Sequence, residues 1–344
     1  MNCKLKYGGC AADIIVVMQK SCFHTVASSA LLLVLLCAAE KLCWAKASWR
    51  VLEFSPNYSV GRLVVLKTGL ESYGRCKGKL LAEARGLIKL PSDKLIKFEP
   101  SAAFYRHPQC LLKLPANAFD FIELRFMAMT DEESSLSDPT IPFVRRISGL
   151  KGIDIEGSEI TDKGLSQLGA MPELRYLAAG NGFITGSCLP HLIGCKKLES
   201  LRFGGTLVNN DYLRYLQNFP CLRQLGLTNV NLSLSGLEHV SKCRAINNLD
   251  IDANYQIDDK ALPLMLKLTN LRTLSLKGTK ISLKALETLG KHGIISIGLP
   301  KPFASYSPGE QRRLLKAFPY YRFSAKPTGD VDSYNETMFA PITR

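Results

Sequence analysis

The sequence LRTLSLKGTKISLKALETLG, residues 271–290, decides the fold. Its apolar residues match neither the strict alternation of a strand nor one continuous face of a helix. Its first part has the spacing L-x-x-L-x-L and ends at Leu276, whereas Leu286 and Leu289 have the spacing of one helix face. The stretch therefore predicts a short strand, a turn anchored by Ile281 and a short helix.

The same strand pattern recurs along the chain with a nearly constant period. Successive first positions are separated by 24, 24, 24, 24, 25 and 23 residues. A period of about 20–29 residues with this pattern is typical of leucine-rich repeats. The seven occurrences are Leu150-Ile153-Ile155, Leu174-Leu177-Ala179, Leu198-Leu201-Phe203, Leu222-Leu225-Leu227, Ile246-Leu249-Ile251, Leu271-Leu274-Leu276 and Ile294-Ile297-Leu299.

The second half of each unit repeats as well. Position 11, counted from the first leucine, is apolar, and positions 16 and 19 would lie on one face of a helix. Asp162, Asn210 and Asp259 precede these helical stretches, where we expect them to cap free N–H groups. Cys195 and Cys243 occupy an apolar position of the repeat, which indicates packing residues and not nucleophiles.

The segment GSEITDKGLSQLGAMPEL, residues 157–174, closely resembles the T-x-I-T-D-x-G-L-x-x-L segment of bacterial leucine-rich repeat proteins. Those proteins are similar to ribonuclease-inhibitor-like and cysteine-containing repeats. The resemblance covers residues 121–299 and implies a curved α/β solenoid with a parallel sheet on its concave side and short helices on its convex side. It also implies protein or peptide binding, with no catalytic residues and no cofactor.

The apolar pattern leaves alternate residues of each strand free, and we expect these residues to be exposed on the concave face. Tyrosine and arginine are common anchors of interfaces, so Tyr176 and Arg202 are the strongest contact candidates. Asp250 and Asp252 would meet a basic partner or remain solvated. The full set of candidate partner-binding residues is Tyr176, Arg202, Gln224, Asn248, Asp250, Asp252, Thr273 and Lys277.

The amino-terminal residues 1–47 have the pattern of a signal peptide or an uncleaved signal anchor. An apolar run at residues 26–39 is followed by Ala45-Lys46-Ala47, a small-residue cleavage pattern. Initiation at Met18 would give a signal peptide of ordinary proportions. The sequence therefore predicts an exported protein, secreted or held in the cell envelope, with membrane contact only through an uncleaved anchor.

The flanks of the repeats differ from them in composition. Residues 48–120 predict a β-rich module that shields the first repeat, with a hairpin around Ser92-Asp93 and one or two helical turns in GKLLAEAR. Residues 300–322 predict a capping helix that begins with a capping box at Ser307, with Leu314, Leu315 and Phe318 docked on the last repeat. Residues 323–344 predict a flexible tail.

Charge and motifs restrict the function. The net charge is +14, but residues 121–299 hold 20 Lys and Arg against 18 Asp and Glu, which indicates a scattered basic surface and no nucleic-acid partner. The cysteines that remain after cleavage form no close C-x-x-C pair, so the sequence does not suggest a metal site. Cys76 could form a disulfide with Cys110 after export. The alternatives to recognition are an envelope scaffold without a discrete ligand and, less favoured, an enzyme whose site lies around His107.

Overall fold

The structure, a computed structural model, describes residues 49–66, 78–126 and 135–319. The chain divides into two compact units, residues 1–48 and 49–344, and all described residues belong to the second. The expected signal segment and the expected tail therefore lie outside the described residues. No helix in the described part has the length and apolarity needed to cross a membrane.

The described residues form thirteen strands, eleven of which share one sheet in the order β13-β12-β11-β10-β9-β8-β7-β6-β5-β2-β3. The strands are β1 Trp49–Glu53, β2 Gly61–Leu66, β3 Gly78–Glu83, β4 Leu87–Pro91, β5 Ile96–Pro100, β6 Phe121–Glu123, β7 Gly152–Asp154, β8 Tyr176–Ala178, β9 Ser200–Arg202, β10 Gln224–Gly226, β11 Asn248–Asp250, β12 Thr273–Ser275 and β13 Ser296–Gly298. Strands β6 to β13 pair in parallel in chain order. Each strand, with the loop and helix that follow it, is one rung of a stack. The predicted α/β solenoid is confirmed.

Short helices follow the strands of the stack. The α-helices are α1 Ala102–Arg106, α2 Ile141–Val144, α3 Asp162–Ser166, α4 Leu189–Leu192, α5 Leu234–Val240, α6 Leu262–Leu266, α7 Leu283–Lys291 and α8 Pro308–Ala317. The 3-10 helices are Pro108–Lys113, Asp138–Thr140, Asn210–Asn218, Asp259–Ala261 and Phe303–Ser305. The repeated leucines lie between strands and helices and are buried, as are Cys195 and Cys243. The packing role predicted for these two cysteines is confirmed.

The amino-terminal part is β-rich, but two local predictions about it are wrong. The stretch expected to be helical contains β3, which pairs antiparallel with β2, so sheet pairing overrides its helical composition. The chain does turn at Ser92-Asp93, yet β4 and β5 do not form a hairpin with each other. Instead β4 pairs with β1, and β5 pairs with β2 and, in parallel, with β6. The turn therefore carries the chain from one sheet to the other.

Asp120 joins this amino-terminal part to the first rungs. Its carboxylate accepts hydrogen bonds from Arg50 at 3.0 Å, from the Ile96 backbone N–H at 3.0 Å and from Lys151 at 2.8 Å. The Arg50 and Asp120 side chains are 7% and 9% exposed. A buried ion pair that links β1, β5 and the chain before β7 makes the two parts depend on each other.

Polar side chains at the starts of three helices bind the next rung, which corrects the capping role expected of Asp162, Asn210 and Asp259. The helix caps are Thr161, Asn209 and Asp258, each one residue earlier than predicted. Asp162 instead reaches forward and accepts bonds from the Thr185 N–H at 2.6 Å and the Cys188 N–H at 2.9 Å. Burial alone would raise the pKa of Asp162, but these hydrogen bonds outweigh burial and lower it.

Asn254 is fully buried and occupies the turn where the fifth repeat has its added residue. Its side-chain oxygen accepts from the backbone N–H groups of Val230 at 3.2 Å and Leu232 at 2.8 Å. Its amide nitrogen donates to three backbone carbonyl oxygens at 2.8 to 3.1 Å, those of Leu227, Ile251 and Asp252. One side chain thus satisfies backbone groups of two adjacent rungs.

The last repeat is covered by α8. The capping box predicted at Ser307 is present: its hydroxyl accepts from the Glu310 N–H, and the Glu310 carboxylate accepts from the Ser307 N–H. Leu314 and Phe318 are buried as predicted. Leu315 is 48% exposed, so its predicted docking is wrong, because it lies about 100° around the helix from Leu314.

Candidate functional site

The predicted partner-binding residues do lie together on the sheet face turned away from the core. In the parallel register Tyr176 is opposite Ser200, and Asp250 lies between Gly226 and Ser275. Asp252 and Lys277 follow at the carboxyl ends of β11 and β12. The expectation of exposure is nevertheless wrong for most of the set. Five members are buried, namely Tyr176, Asn248, Asp250, Asp252 and Thr273; Arg202 and Gln224 are half-buried and Lys277 is exposed.

Glycines on neighbouring rungs explain this burial. Parallel strands lie only about 4.8 Å apart, so a large side chain can lie flat over a rung that lacks one. The space where a Cβ of Gly152 would stand is filled by the rings of Phe121 and Tyr176. In the same way Arg202 lies over Gly226. Neighbouring side chains therefore fill the sheet face at these two rungs, which buries Tyr176 and half-buries Arg202.

The face between β6 and β9 carries compensated charges. Arg125 binds Asp154 at 2.6 Å, and Arg202 lies 3.3 Å from Glu156 and 3.5 Å from the Tyr176 hydroxyl. Burial raises the pKa of Asp154 to about 6 despite its arginine partner. Burial likewise raises the pKa of the Tyr176 hydroxyl, which therefore stays neutral. These pairs fix the shape of the face.

Asp250 and Asp252 form a second, less compensated group. The Asp250 carboxylate accepts from the Asp252 N–H at 3.0 Å, and the Asp252 carboxylate accepts from the Lys277 N–H at 2.7 Å. Burial raises the pKa of Asp250 to about 6, and the Asp252 charge adds to the shift. Burial also raises the pKa of Asp252. The solvated role expected from the sequence does not describe these buried carboxyl groups.

Asp250→Asn is expected to stabilise the protein above pH 6. Because the folded-state pKa of Asp250 is raised, its stability contribution is fully present below the unfolded pKa of about 4 and is lost as pH rises through about 6. The amide removes this loss. We expect the gain in unfolding free energy of Asp250→Asn over the unmodified protein to be roughly 1–3 kcal/mol larger at pH 8 than at pH 4.5. Urea unfolding at the two pH values measures it. Asp211→Asn, at an exposed site, is the control, and an equal effect there would contradict this account.

A different surface has the exposed apolar side chains of an interface. Phe183, Leu207 and Tyr255 are 66%, 85% and 62% exposed, and we call these three residues the apolar ridge. All three occupy position 10 of their repeats, in the loops that follow β8, β9 and β11. Phe183 and Leu207 belong to adjacent rungs. The sequence signal was present but overlooked, because the same position is Glu159, Asn231 or Lys280 in other repeats.

Two of the three loops that carry the apolar ridge contain a non-glycine residue in an unusual backbone conformation. Asn181 and Ala253 have φ values of 53° and 55°, in the left-handed region that alanine rarely adopts. The turn at Ala253 directs Asn254 into the core and leaves Tyr255 in solvent. Strained positions of this kind persist where the surroundings impose them and are often found at functional sites.

The described residues also include those of the metal and enzyme alternatives. No group of three or more His, Cys, Asp or Glu side chains among them is placed to hold a metal ion. His107, the residue of the enzyme alternative, packs its ring 5.0 Å from the Tyr58 ring and donates its backbone N–H to the end of α1. Cys110 is a free, half-buried thiol, and Cys76 lies outside the described residues.

Comparison with known proteins gives distant likenesses. No family model and no curated protein matches the chain. An internalin from Listeria monocytogenes strain 4b F2365 is similar at 17% identity and a TM-score of 0.36, over 55% of this chain and 59% of the internalin. A Bacteroides fragilis protein is similar at 16% identity and a TM-score of 0.39, over 74% of this chain and 96% of that one. The chain thus spans about three-fifths of the internalin. Its own rungs define its class, a leucine-rich repeat solenoid.

Proposed function

We propose that this chain is a non-catalytic recognition protein whose protein partner docks on the apolar ridge and the adjoining sheet face. The observation that carries the proposal is the pair Phe183 and Leu207, two large apolar side chains exposed on adjacent rungs. Contiguous exposed apolar groups on otherwise well-packed proteins mark interaction sites. Arg202, Gln224 and Lys277 are accessible enough to form the polar border of this interface, whereas Tyr176, Asn248, Asp250, Asp252 and Thr273 support its shape.

We further propose that the protein is exported and that its repeats are of the bacterial type that resembles ribonuclease-inhibitor-like and cysteine-containing repeats. The support is in the sequence: the apolar run at residues 26–39 and the segment GSEITDKGL. Amino-terminal sequencing of the exported protein tests the first part. A terminus at Ser48 would show cleavage, and an intact Met1 or Met18 terminus would show an anchor.

A photo-crosslinking amino acid at position 207 is expected to give a discrete adduct with the partner in the native cell. The adduct should fall at least about tenfold when Phe183 is changed to Ser, since anchor residues commonly contribute 2 kcal/mol or more. Because Phe183 is exposed, this change should alter unfolding free energy by only about 0.5 kcal/mol. The same probe at Lys163, on an exposed helix surface, is the control. Identical adducts at both positions, or no dependence on Phe183, would contradict the proposed site.

A further inference from the structure

Stacking the repeats concentrates positive charge on one edge of the solenoid. Six loops connect a helix to the amino-terminal end of one of the strands β7 to β12: residues 145–151, 167–175, 193–199, 219–223, 241–247 and 267–272. They hold eleven Lys and Arg against two Glu, a net charge of +9. We call them the basic edge. The opposite loops, 155–161, 179–188, 203–209, 227–233, 251–258 and 276–282, have a net charge of −2. The basic residues, which looked scattered in the sequence, therefore share one surface.

Part of this charge is neutralised within the protein. Lys151 binds Asp120 at 2.8 Å, Arg175 binds Glu199 at 3.1 Å and Lys197 binds Glu173 at 2.6 Å. All three pairs lie toward the first rungs. Acidic side chains thus neutralise some of the positive charge of the basic edge near the first rungs.

Among the residues that the structure describes, exposed basic residues without an ion pair remain on the first rungs, at Arg145, Arg146 and Lys196, and on the later rungs. Arg223, Lys242, Arg244 and Lys267 are exposed, and none of them forms an ion pair with another residue in the described part of the chain. Neighbouring rungs are about 4.8 Å apart, well inside the Debye length of about 8 Å at physiological salt. Like charges so close repel one another, so the arrangement costs free energy unless an anionic surface is present.

Helix dipoles account for only some of these residues. A cation directly after a helix interacts favourably with the negative end of its dipole, which explains Lys242 after α5 and Lys267 after α6. The effect falls off within the last turn of a helix. Arg223 lies five residues past the last helical residue and directly before β10, and Arg244 lies four residues past the last residue of α5 and four before β11. Another reason is needed for these arginines.

From this surface we infer that the basic edge docks on an anionic phospholipid bilayer. The loops are five to nine residues long and contain no helix that could enter a nucleic-acid groove. In the described chain these loops expose no aromatic side chain for stacking on bases. Among the described residues, Ile193 is the one exposed large apolar side chain in the six loops, and the next loop, before β13, adds Ile295. A protein interface would need anchors of that kind. A bilayer needs only an array of cations close to its surface. The inference does not depend on the apolar ridge, which lies on the opposite edge.

Sedimentation of the full chain with vesicles tests the inference. Binding is expected to vesicles of phosphatidylcholine with about 30 mol% phosphatidylserine and to disappear in about 0.5 M salt. The triple variant Arg223→Glu, Arg244→Glu, Lys267→Glu should bind at least roughly 100-fold more weakly, because each basic residue near the surface contributes about a fivefold increase. The neutral variant with Gln at the same three positions should lose nearly as much, which guards against a folding defect caused by the new carboxylates.

The control variant is Lys163→Glu, Lys280→Glu, Lys284→Glu, which makes the same charge change at exposed sites at or beside the opposite edge. It should bind within about threefold of the unmodified protein. Equal losses in both triple variants would attribute binding to net charge alone and overturn the inference. Equal binding to pure phosphatidylcholine would attribute it to the apolar run at residues 26–39 and also overturn it. The inference would also be overturned if the protein bound a duplex DNA oligonucleotide or a polyglutamate peptide but did not bind the vesicles.

Discussion

Replacing Asn254 with alanine is expected to lower the free energy of unfolding by roughly 3–5 kcal/mol. The change removes five hydrogen bonds and leaves the N–H groups of Val230 and Leu232 buried without acceptors. A buried unsatisfied backbone group costs about 1–3 kcal/mol, and alanine is too small to replace either the acceptor or the donor. Guanidinium unfolding followed by circular dichroism measures the change.

Asn270→Ala supplies a matched control in the same repeat. The Asn270 amide makes one exposed hydrogen bond, to the Arg244 carbonyl oxygen at 2.9 Å, so its loss should cost less than about 1 kcal/mol. If Asn254→Ala costs no more than this control, the two rungs do not depend on the Asn254 side chain. Asn254→Asp separates the two roles of the amide, since a carboxylate can accept from both N–H groups but cannot donate to the three carbonyls.

Asp120→Ala is expected to cost about 3–5 kcal/mol as well, because it leaves the Arg50 charge buried without its partner. The change also removes the acceptor of the Ile96 N–H, a backbone group of β5. Since the same carboxylate binds Lys151, just before β7, the amino-terminal strands and the first rungs should lose stability together. A single cooperative transition at a lower midpoint is the expected result in thermal unfolding.

Asp93→Ala is the comparison for Asp120. Asp93 and Lys94 form an ion pair at 3.3 Å whose side chains are 72% and 56% exposed, and exposed pairs contribute about 0–1 kcal/mol. Two separate transitions in Asp120→Ala, with the later one unchanged, would show that the repeats are stable without their connection to the amino-terminal strands.

The repeat could be predicted from the sequence because the constraint is local and periodic. Each rung must place leucines at fixed spacings to reach the shared core, and Leu271, Leu274 and Leu276 show that constraint within six residues. The strand pairing of residues 78–100 could not be predicted in the same way. It depends on which distant strand is free to pair, and β5 takes β2 and β6 as partners while β4 takes β1.

The side of the sheet on which Tyr176 and Arg202 lie could also be predicted, since alternate strand residues face opposite ways. Their burial could not, because it depends on the size of the side chain one rung away. Gly152 lies 24 residues before Tyr176, and Gly226 lies 24 residues after Arg202. The basic edge was missed for a related reason. Each loop of the edge holds one to three basic residues, and acidic residues elsewhere almost cancel their charge over residues 121–299, so only stacking brings the basic residues together.

The parallel pairing of β5 with β6 has a consequence for biosynthesis. The amino-terminal strands leave the ribosome first, and domains that emerge first generally fold first. The first repeat strand then meets a preformed template, and each later unit of about 24 residues can add to the one before it. We expect folding to advance in one direction during translation. Proteolysis of ribosome-stalled chains of increasing length would show this as protection that grows by one repeat at a time.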